Sequence, residues 1–279
     1  MDQSAKLRIF YARYLSKLAS VKNPAVERAF ATVPRELFVG PPPWHVFVTT
    51  DRSYLPTPDD DLMFLYSDNL IALDPDRGIN NGQPSLHAYC IDALSITTGE
   101  TVLHIGAGTG YYSAILANIT GPTGHVHAFE IDPGLGARAK RNLADWPQVV
   151  VHVRSGTSSP LPRADVIYVN AGAPAPTAAW LDALLPGGRL LFPLQPGREG
   201  GVMLLLQKPA HGERWTAKFL LRVHFIPCED VARAGEMERM LKAAFDVNDL
   251  QKVKYFYRGD TPGETCWFKG DGWWLSKEE

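Results

Sequence analysis

Residues 101 to 112, Thr-Val-Leu-His-Ile-Gly-Ala-Gly-Thr-Gly-Tyr-Tyr, restrict this chain more than any other segment. An apolar run opens into three alternating glycines and then a helix-like stretch, which spells a strand, a tight turn and a helix start. Gly106, Gly108 and Gly110 let the backbone take positive φ and approach a ligand closely. The free N–H groups and the dipole of a helix beginning near Tyr111 face the same point. A second strand, residues 124 to 131, carries Glu130 near its end. An acidic residue there, about twenty residues beyond the glycines, is placed to accept hydrogen bonds from both hydroxyls of a ribose.

The spacing narrows the ligand. A dinucleotide fingerprint, G-x-G-x-x-G, keeps a last glycine near the pyrophosphate, and here that position is Tyr111. The glycines read G-x-G-x-G instead. With the distal acid, this resembles the S-adenosylmethionine (SAM) site of class I methyltransferases, whose cofactor has no phosphate to cradle. The later run Leu184-Leu185-Pro186-Gly187-Gly188-Arg189-Leu190 resembles the helix-to-strand turn late in that fold. The likeness implies SAM contacts from His104, Gly106, Ala107, Gly108, Thr109, Gly110, Tyr111, Glu130 and Ile131, with Ser155, Gly156 and Asn170 from later turns. The alternative is a glycine-rich turn that serves only the fold.

Bulk properties exclude several classes. At 279 residues the chain has room for one large α/β domain with additions or for two small domains. Its 28 Lys and Arg against 30 Asp and Glu give a formal charge of -2, and no long basic run is present, so no nucleic-acid footprint is expected. Cys90, Cys228 and Cys266 are odd in number and lack metal-ligand spacing, which suits reduced thiols and no metal site. Lys6, Arg8, Arg13 and Lys17, interleaved with Leu7, Ile9, Phe10, Tyr14 and Leu18, break any signal-peptide apolar region. No segment is apolar for long enough to span a membrane. A cytoplasmic protein is expected; the oligomeric state is left open.

Along the chain, residues 1 to 38 read as two helices, the second from Pro24 to Thr32 behind an Asn23 cap. Residues 40 to 84, rich in Pro, Asp and aromatics, read as loop with short strands. Ser85 to Leu94 reads as a helix. From residue 100 the elements alternate: strands at 101–106, 125–131, 149–153, 164–170, 188–194 and 201–207, and helices at 111–119, 133–145 and 176–185. Such alternation predicts a doubly wound, mostly parallel sheet with helices on both faces and ligands at the carboxyl ends of its strands. Residues 230 to 245 read as a helix, and Val253–Tyr257 with Thr265–Trp274 as a two-stranded aromatic appendage that seals an edge of the core or touches substrate. The expected organisation is an N-terminal cap at 1–84, a SAM-binding core at 85–228 and a C-terminal appendage at 229–279.

Three segments in order resemble the protein-L-isoaspartate O-methyltransferase family: Ala29-Phe30-Ala31-Thr32-Val33-Pro34-Arg35-Glu36-Leu37-Phe38-Val39, the Gln83-Pro84 step before a helix, and the run from Val102 through Pro193. The first of these plays no part in SAM binding and is not expected of methyltransferases in general. The resemblance implies a seven-stranded doubly wound sheet, SAM as donor and a carboxylate as acceptor, on a peptide or a small metabolite. The chain also departs from the family. A Thr-Ile-Ser type segment, whose hydroxyls help hold the substrate, is replaced before Gln83 by Asn80-Asn81-Gly82. The acid of the first strand is His104, the Gly-Asp-Gly facing adenine is Arg154-Ser155-Gly156, and the turn after the fourth strand is Asn170-Ala171-Gly172-Ala173-Pro174.

Methyl transfer from a sulfonium is an in-line displacement that mainly needs orientation and exclusion of water. A carboxylate acceptor is already ionised, so it needs only donors, for which Asn80, Asn81, Gly82, Gln83 and Ser85 are the candidates. A hydroxyl or amine acceptor needs a general base, and His87 is the nearest residue in sequence, with His104 second. Arg35, Tyr66 and Asp68 can also reach the mouth, though solvated or structural roles fit them better. The alternatives are a small-molecule methyltransferase with a hydroxyl or amine acceptor, and a SAM-binding module without catalysis.

Overall fold

The computed structural model describes residues 2–231, 235–246 and 249–277. In chain order its elements are α1 (Gln3–Leu18), α2 (Pro24–Thr32), α3 (Glu36–Val39), β1 (His45–Val48), β2 (Ser53–Pro56), β3 (Ala72–Asp74), β4 (Ile79–Asn80), α4 (Pro84–Leu94), β5 (Thr101–Ile105), α5 (Tyr111–Thr120), β6 (His125–Glu130), α6 (Pro133–Asn142), β7 (Val149–Val153), β8 (Ala164–Val169), α7 (Ala178–Ala183), β9 (Leu184–Leu194), β10 (Gly201–Gln207), β11 (Trp215–Val223), α8 (Gly235–Asp246), β12 (Val253–Arg258), β13 (Cys266–Lys269) and β14 (Trp273–Lys277). They fall into two compact units, residues 1–100 with 107–154, and residues 101–106 with 155–279.

In the first unit, local chemistry sets the helix starts. Asn23 accepts the Ala25 amide at 2.9 Å ahead of Pro24, the side-chain cap its sequence foretells, and Asp132 accepts the Leu135 amide at 2.8 Å ahead of Pro133 in the same way. Tyr11, Phe30, Phe38 and Tyr111 are buried against one another, with Phe30 and Phe38 meeting the Tyr111 ring at 6.2 and 5.6 Å. Val39, Trp44, Leu65 and Ile71 form a smaller buried cluster beside the β1–β2 hairpin. Strands β6 and β7 pair in parallel, Glu130 opposite Val153.

In the second unit, β5, β8 and β9 pair in parallel, and β9, β10 and β11 continue antiparallel. β11 is a strand that the local pattern does not announce, and it brings β5 to β11 to the expected seven. The appendage has three strands: β12 adds to β11, β14 to β12 and β13 to β14. Phe256, Phe268, Trp273 and Trp274 are buried in it, as suits the sealing of a sheet edge. The helix expected over 230–245 is met by α8, residues 232–234 lying outside the described ones. α7 is shorter than its sequence suggests, because β9 already begins at Leu184, with Gly187 at φ 83° letting Pro186-Gly187-Gly188 bulge from the ladder.

Candidate cofactor and acceptor site

The glycine turn has the geometry its sequence requires. Gly106, Gly108 and Gly110 have φ of 78°, 58° and 98°. At Gly110, which caps α5, φ of 98° favours glycine, and a β-carbon there would lie 2.6 Å from Leu143 Cδ1, so that side chain would have to shift. Within the first unit the Ala107 amide donates to the Phe129 carbonyl at 3.0 Å and the Gly108 amide to Glu130 Oε2 at 2.7 Å. Glu130 Oε1 accepts the Asp132 amide at 2.9 Å, and burial pushes the Glu130 carboxyl above its usual range. A carboxylate has about four acceptor positions, so Glu130 keeps capacity for further donors. Ile131 beside it is 39% exposed, an apolar surface left open at the strand end.

Two other candidates of the turn face inward. Thr109 Oγ1 donates to the Phe38 carbonyl at 2.6 Å, tying the turn to the Val-Pro-Arg segment, and Asn142 Nδ2 donates to the Thr109 carbonyl at 3.0 Å. Tyr111 is buried among aromatic rings, and burial raises its phenol well above the ordinary value.

In the second unit, His104 is fully buried and its Nε2 lies 2.7 Å from Asn170 Nδ2. An amide nitrogen only donates, so this imidazole nitrogen is the acceptor. Burial holds the His104 pKa down at about 3. Asn170 Oδ1 is buried with no hydrogen-bond partner, and the Asn170 backbone lies 3.3 Å from where a β-carbon on Gly106 would stand. Ser155 Oγ contacts Thr157 Oγ1 at 2.9 Å, while the Gly156 carbonyl accepts Trp180 Nε1 at 2.7 Å. The turn after β8 is fixed through Gly172, which donates to the Ile226 carbonyl at 2.9 Å and accepts the Cys228 amide at 2.8 Å.

The segment before Pro84 lies in the first unit, and most of its side chains are engaged. Asn80 Nδ2 donates to Tyr54 on β2 at 3.1 Å, and Asn80 Oδ1 accepts the Gly82 amide at 2.9 Å. Gln83 Nε2, the Ser85 amide and Ser85 Oγ converge on the Asp68 carboxylate at 2.9, 2.7 and 2.6 Å. Asn81 Oδ1 accepts the Ile71 amide at 3.0 Å, whereas its Nδ2 is buried without a partner. His87 is buried on α4 and stacks on Tyr112 at 3.7 Å between ring centroids.

Arg35, Tyr66 and Tyr54 organise this segment, and of the three only Tyr54 escapes local reading. Arg35 is fully buried and its guanidinium donates to the carbonyls of Leu65, Ser67 at 2.9 Å and Asn69 at 2.8 Å, so the loop that carries Asp68 is held from beneath. Arg35 thus has a structural role in this loop. Tyr66 donates to Glu36, and burial followed by that carboxylate pushes its phenol up to about 12. Tyr54, the partner of Asn80, has no sequence signal at all, because its role exists only once the β1–β2 hairpin is laid down.

The doubly wound sheet, the G-x-G-x-G turn and the strand-end acid define a class I SAM-dependent methyltransferase. The sequence profile described as Protein-L-isoaspartate(D-aspartate) O-methyltransferase (PCMT) matches residues 12–233, and the chain belongs to this family of SAM-dependent enzymes. A protein-L-isoaspartate O-methyltransferase of Ignicoccus hospitalis is 31% identical over 211 residues, covering 74% of this chain and 90% of the relative. One from Syntrophotalea carbinolica is 30% identical over 234 residues, covering 81% and 94%. Among solved structures, a protein-L-isoaspartate O-methyltransferase superposes with a TM-score of 0.66 at 21% identity, over 98% of this chain and 88% of that one. A Plasmodium falciparum protein described as a beta-aspartate methyltransferase, solved with S-adenosyl-L-homocysteine, gives 0.62 at 15% identity over 79% and 97%. At these identities the structural likeness speaks for the fold. Among the described residues no helix is long and apolar enough to cross a membrane.

Proposed function

We propose that this enzyme transfers the methyl group of SAM to a carboxylate of a peptide or protein, working in the cytoplasm, where its three free cysteines stay reduced. The observation that carries the reading is His104. With a pKa near 3 and its Nε2 already accepting from Asn170, it is far too weak a base to take a proton from a hydroxyl or an amine. An ionised carboxylate needs no base. His87, the other candidate, is buried against Tyr112, which suits packing better than proton transfer.

The donor set fits the cofactor. Glu130 keeps acceptor positions for the ribose hydroxyls, Gly106 to Gly110 allow close backbone approach, and Ile131 gives an apolar face. Ser155, Gly156 and Asn170 are the candidates of the second unit for the remaining contacts. When bound, SAM supplies an electrophilic methyl on a sulfonium. The chain's own residues then orient the acceptor and keep water out, and Asn81 Nδ2 is the donor left unpaired for that purpose. In this division of labour residues 1–84 cap the acceptor side, 85–228 bind SAM and 229–279 close the sheet edge.

The test is incubation with methyl-labelled SAM and an isoaspartyl peptide beside its aspartyl control, reading base-labile methyl ester. Label released by mild base supports the carboxylate reading. Base-stable label identifies a hydroxyl or amine acceptor, and no turnover on either peptide or on a cell extract, with intact SAM binding, identifies a binding module.

A further inference from the structure

Gly82 and His87 cannot both carry their side chains in the same place. Gly82 has φ of 73°, and a β-carbon on it would lie 2.1 Å from His87 Nε2 and 2.9 Å from His87 Cδ2. Real β-carbons essentially never come within 3.0 Å of another heavy atom, so the imidazole occupies the volume a side chain at 82 would fill. The ring has little freedom to withdraw. It lies on Tyr112 at 3.7 Å and 16° between planes, and the Tyr112 hydroxyl donates to the Gly82 carbonyl at 3.3 Å. The Gly82 amide is held by Asn80 Oδ1, and the Asn81 amide donates to the Ile71 carbonyl at 3.0 Å, so the backbone above the ring is fixed as well.

We propose that His87 is a specificity-determining residue: by filling the place of a residue-82 side chain it removes any hydroxyl from that point and leaves the Asn81 carboxamide as the donor that reads the acceptor carboxylate. This rests on the carboxylate reading above. His87 acts through the shape of the segment and is a positioning residue. The donors of Asn80, Gln83 and Ser85 are committed to Tyr54 and Asp68, whereas Asn81 Nδ2 is buried and unpaired. A site built around one donor type discriminates strongly against acceptors whose geometry calls for another.

The experiment is a double-mutant comparison in the full chain: Gly82→Ser, His87→Ala, the two together, and Gly82→Ala/His87→Ala, which has the same backbone strain without a hydroxyl. Each is measured for thermal midpoint, for S-adenosylhomocysteine binding by calorimetry, and for base-labile methylation of the isoaspartyl and aspartyl peptides. Gly82→Ser alone lowers the midpoint, and adding His87→Ala recovers part of it, because the ring is what the new side chain meets. The serine double variant methylates the isoaspartyl peptide at least about tenfold better than both the unaltered chain and the alanine double variant. If it folds and binds S-adenosylhomocysteine but keeps the original acceptor selectivity, the proposal is overturned while the carboxylate reading stands. Base-stable label from the unaltered chain overturns both. Should the serine variant fail to fold, Gly82→Asn/His87→Ala restores a carboxamide donor in place of the hydroxyl on a side chain that tolerates the left-handed backbone, and unchanged acceptor selectivity in it overturns the proposal.

Discussion

The Glu130 carboxylate accepts the Gly108 amide at 2.7 Å, so the acid at the end of β6 and the middle glycine of the turn are a bonded pair. The pair fixes the turn, and under the proposed function the same carboxylate takes the ribose hydroxyls of SAM. Charge-assisted hydrogen bonds contribute about 1.5–3 kcal/mol each, so Glu130→Ala weakens S-adenosylhomocysteine binding by at least about tenfold. Calorimetry on the folded variant checks this. Unchanged affinity would remove Glu130 from the cofactor site.

His104 makes stability depend on pH. Its folded pKa of about 3 lies below the ordinary 6.5, so protonation favours the unfolded chain. The contribution is complete above about pH 6.5 and is lost as pH falls toward 3, at about 1.4 kcal/mol per pH unit for one proton. Urea denaturation between pH 4 and 7 reads the slope, and His104→Gln, which keeps an acceptor for Asn170 and does not titrate, flattens it. Equal slopes for the two proteins would show that other groups dominate.

Arg35 holds the loop that anchors the acceptor segment. Arg35→Met leaves the carbonyls of Leu65, Ser67 and Asn69 without their donor and costs about 3 kcal/mol or more in folding stability. Arg35→Lys recovers only part, since a single ammonium cannot fork across the loop as a guanidinium does. Chemical denaturation gives both numbers, and a loss under about 1 kcal/mol for methionine would refute the cage.

The acceptor role proposed for Asn81 is tested by separating acceptor binding from cofactor binding. Asn81→Asp keeps the oxygen that takes the Ile71 amide and removes the unpaired donor, turning it into a charge that repels a carboxylate. Turnover falls at least about tenfold while S-adenosylhomocysteine affinity stays within a few-fold. A parallel loss of both would return Asn81 to a purely structural role.

Much of this enzyme is written in short-range patterns. The strand, three glycines and helix start of residues 101–112 announce the strand–turn–helix unit because each step depends on neighbours in sequence. The Asn23 cap and the alternation from residue 100 are legible for the same reason. Local pattern fails where pairing decides structure: β11 becomes a strand because β10 and β12 flank it, and Thr265–Trp274 splits into β13 and the start of β14 because two antiparallel partners fold back on each other.

The sequence by itself determined the glycine turn, the position of the strand-end acid and the family, because these rest on residue types at fixed short spacings. Only the tertiary structure decided which candidate side chains remain available. Asn80 is taken by Tyr54, 26 residues away, Gln83 and Ser85 by Asp68, and His104 by Asn170, 66 residues away. Hydrogen-bond capacity is consumed by whichever groups folding brings within about 3 Å, and that proximity has no imprint on local spacing. The exclusion between Gly82 and His87 is of the same kind: five residues apart in sequence, they meet because a left-handed turn runs into the first turn of α4.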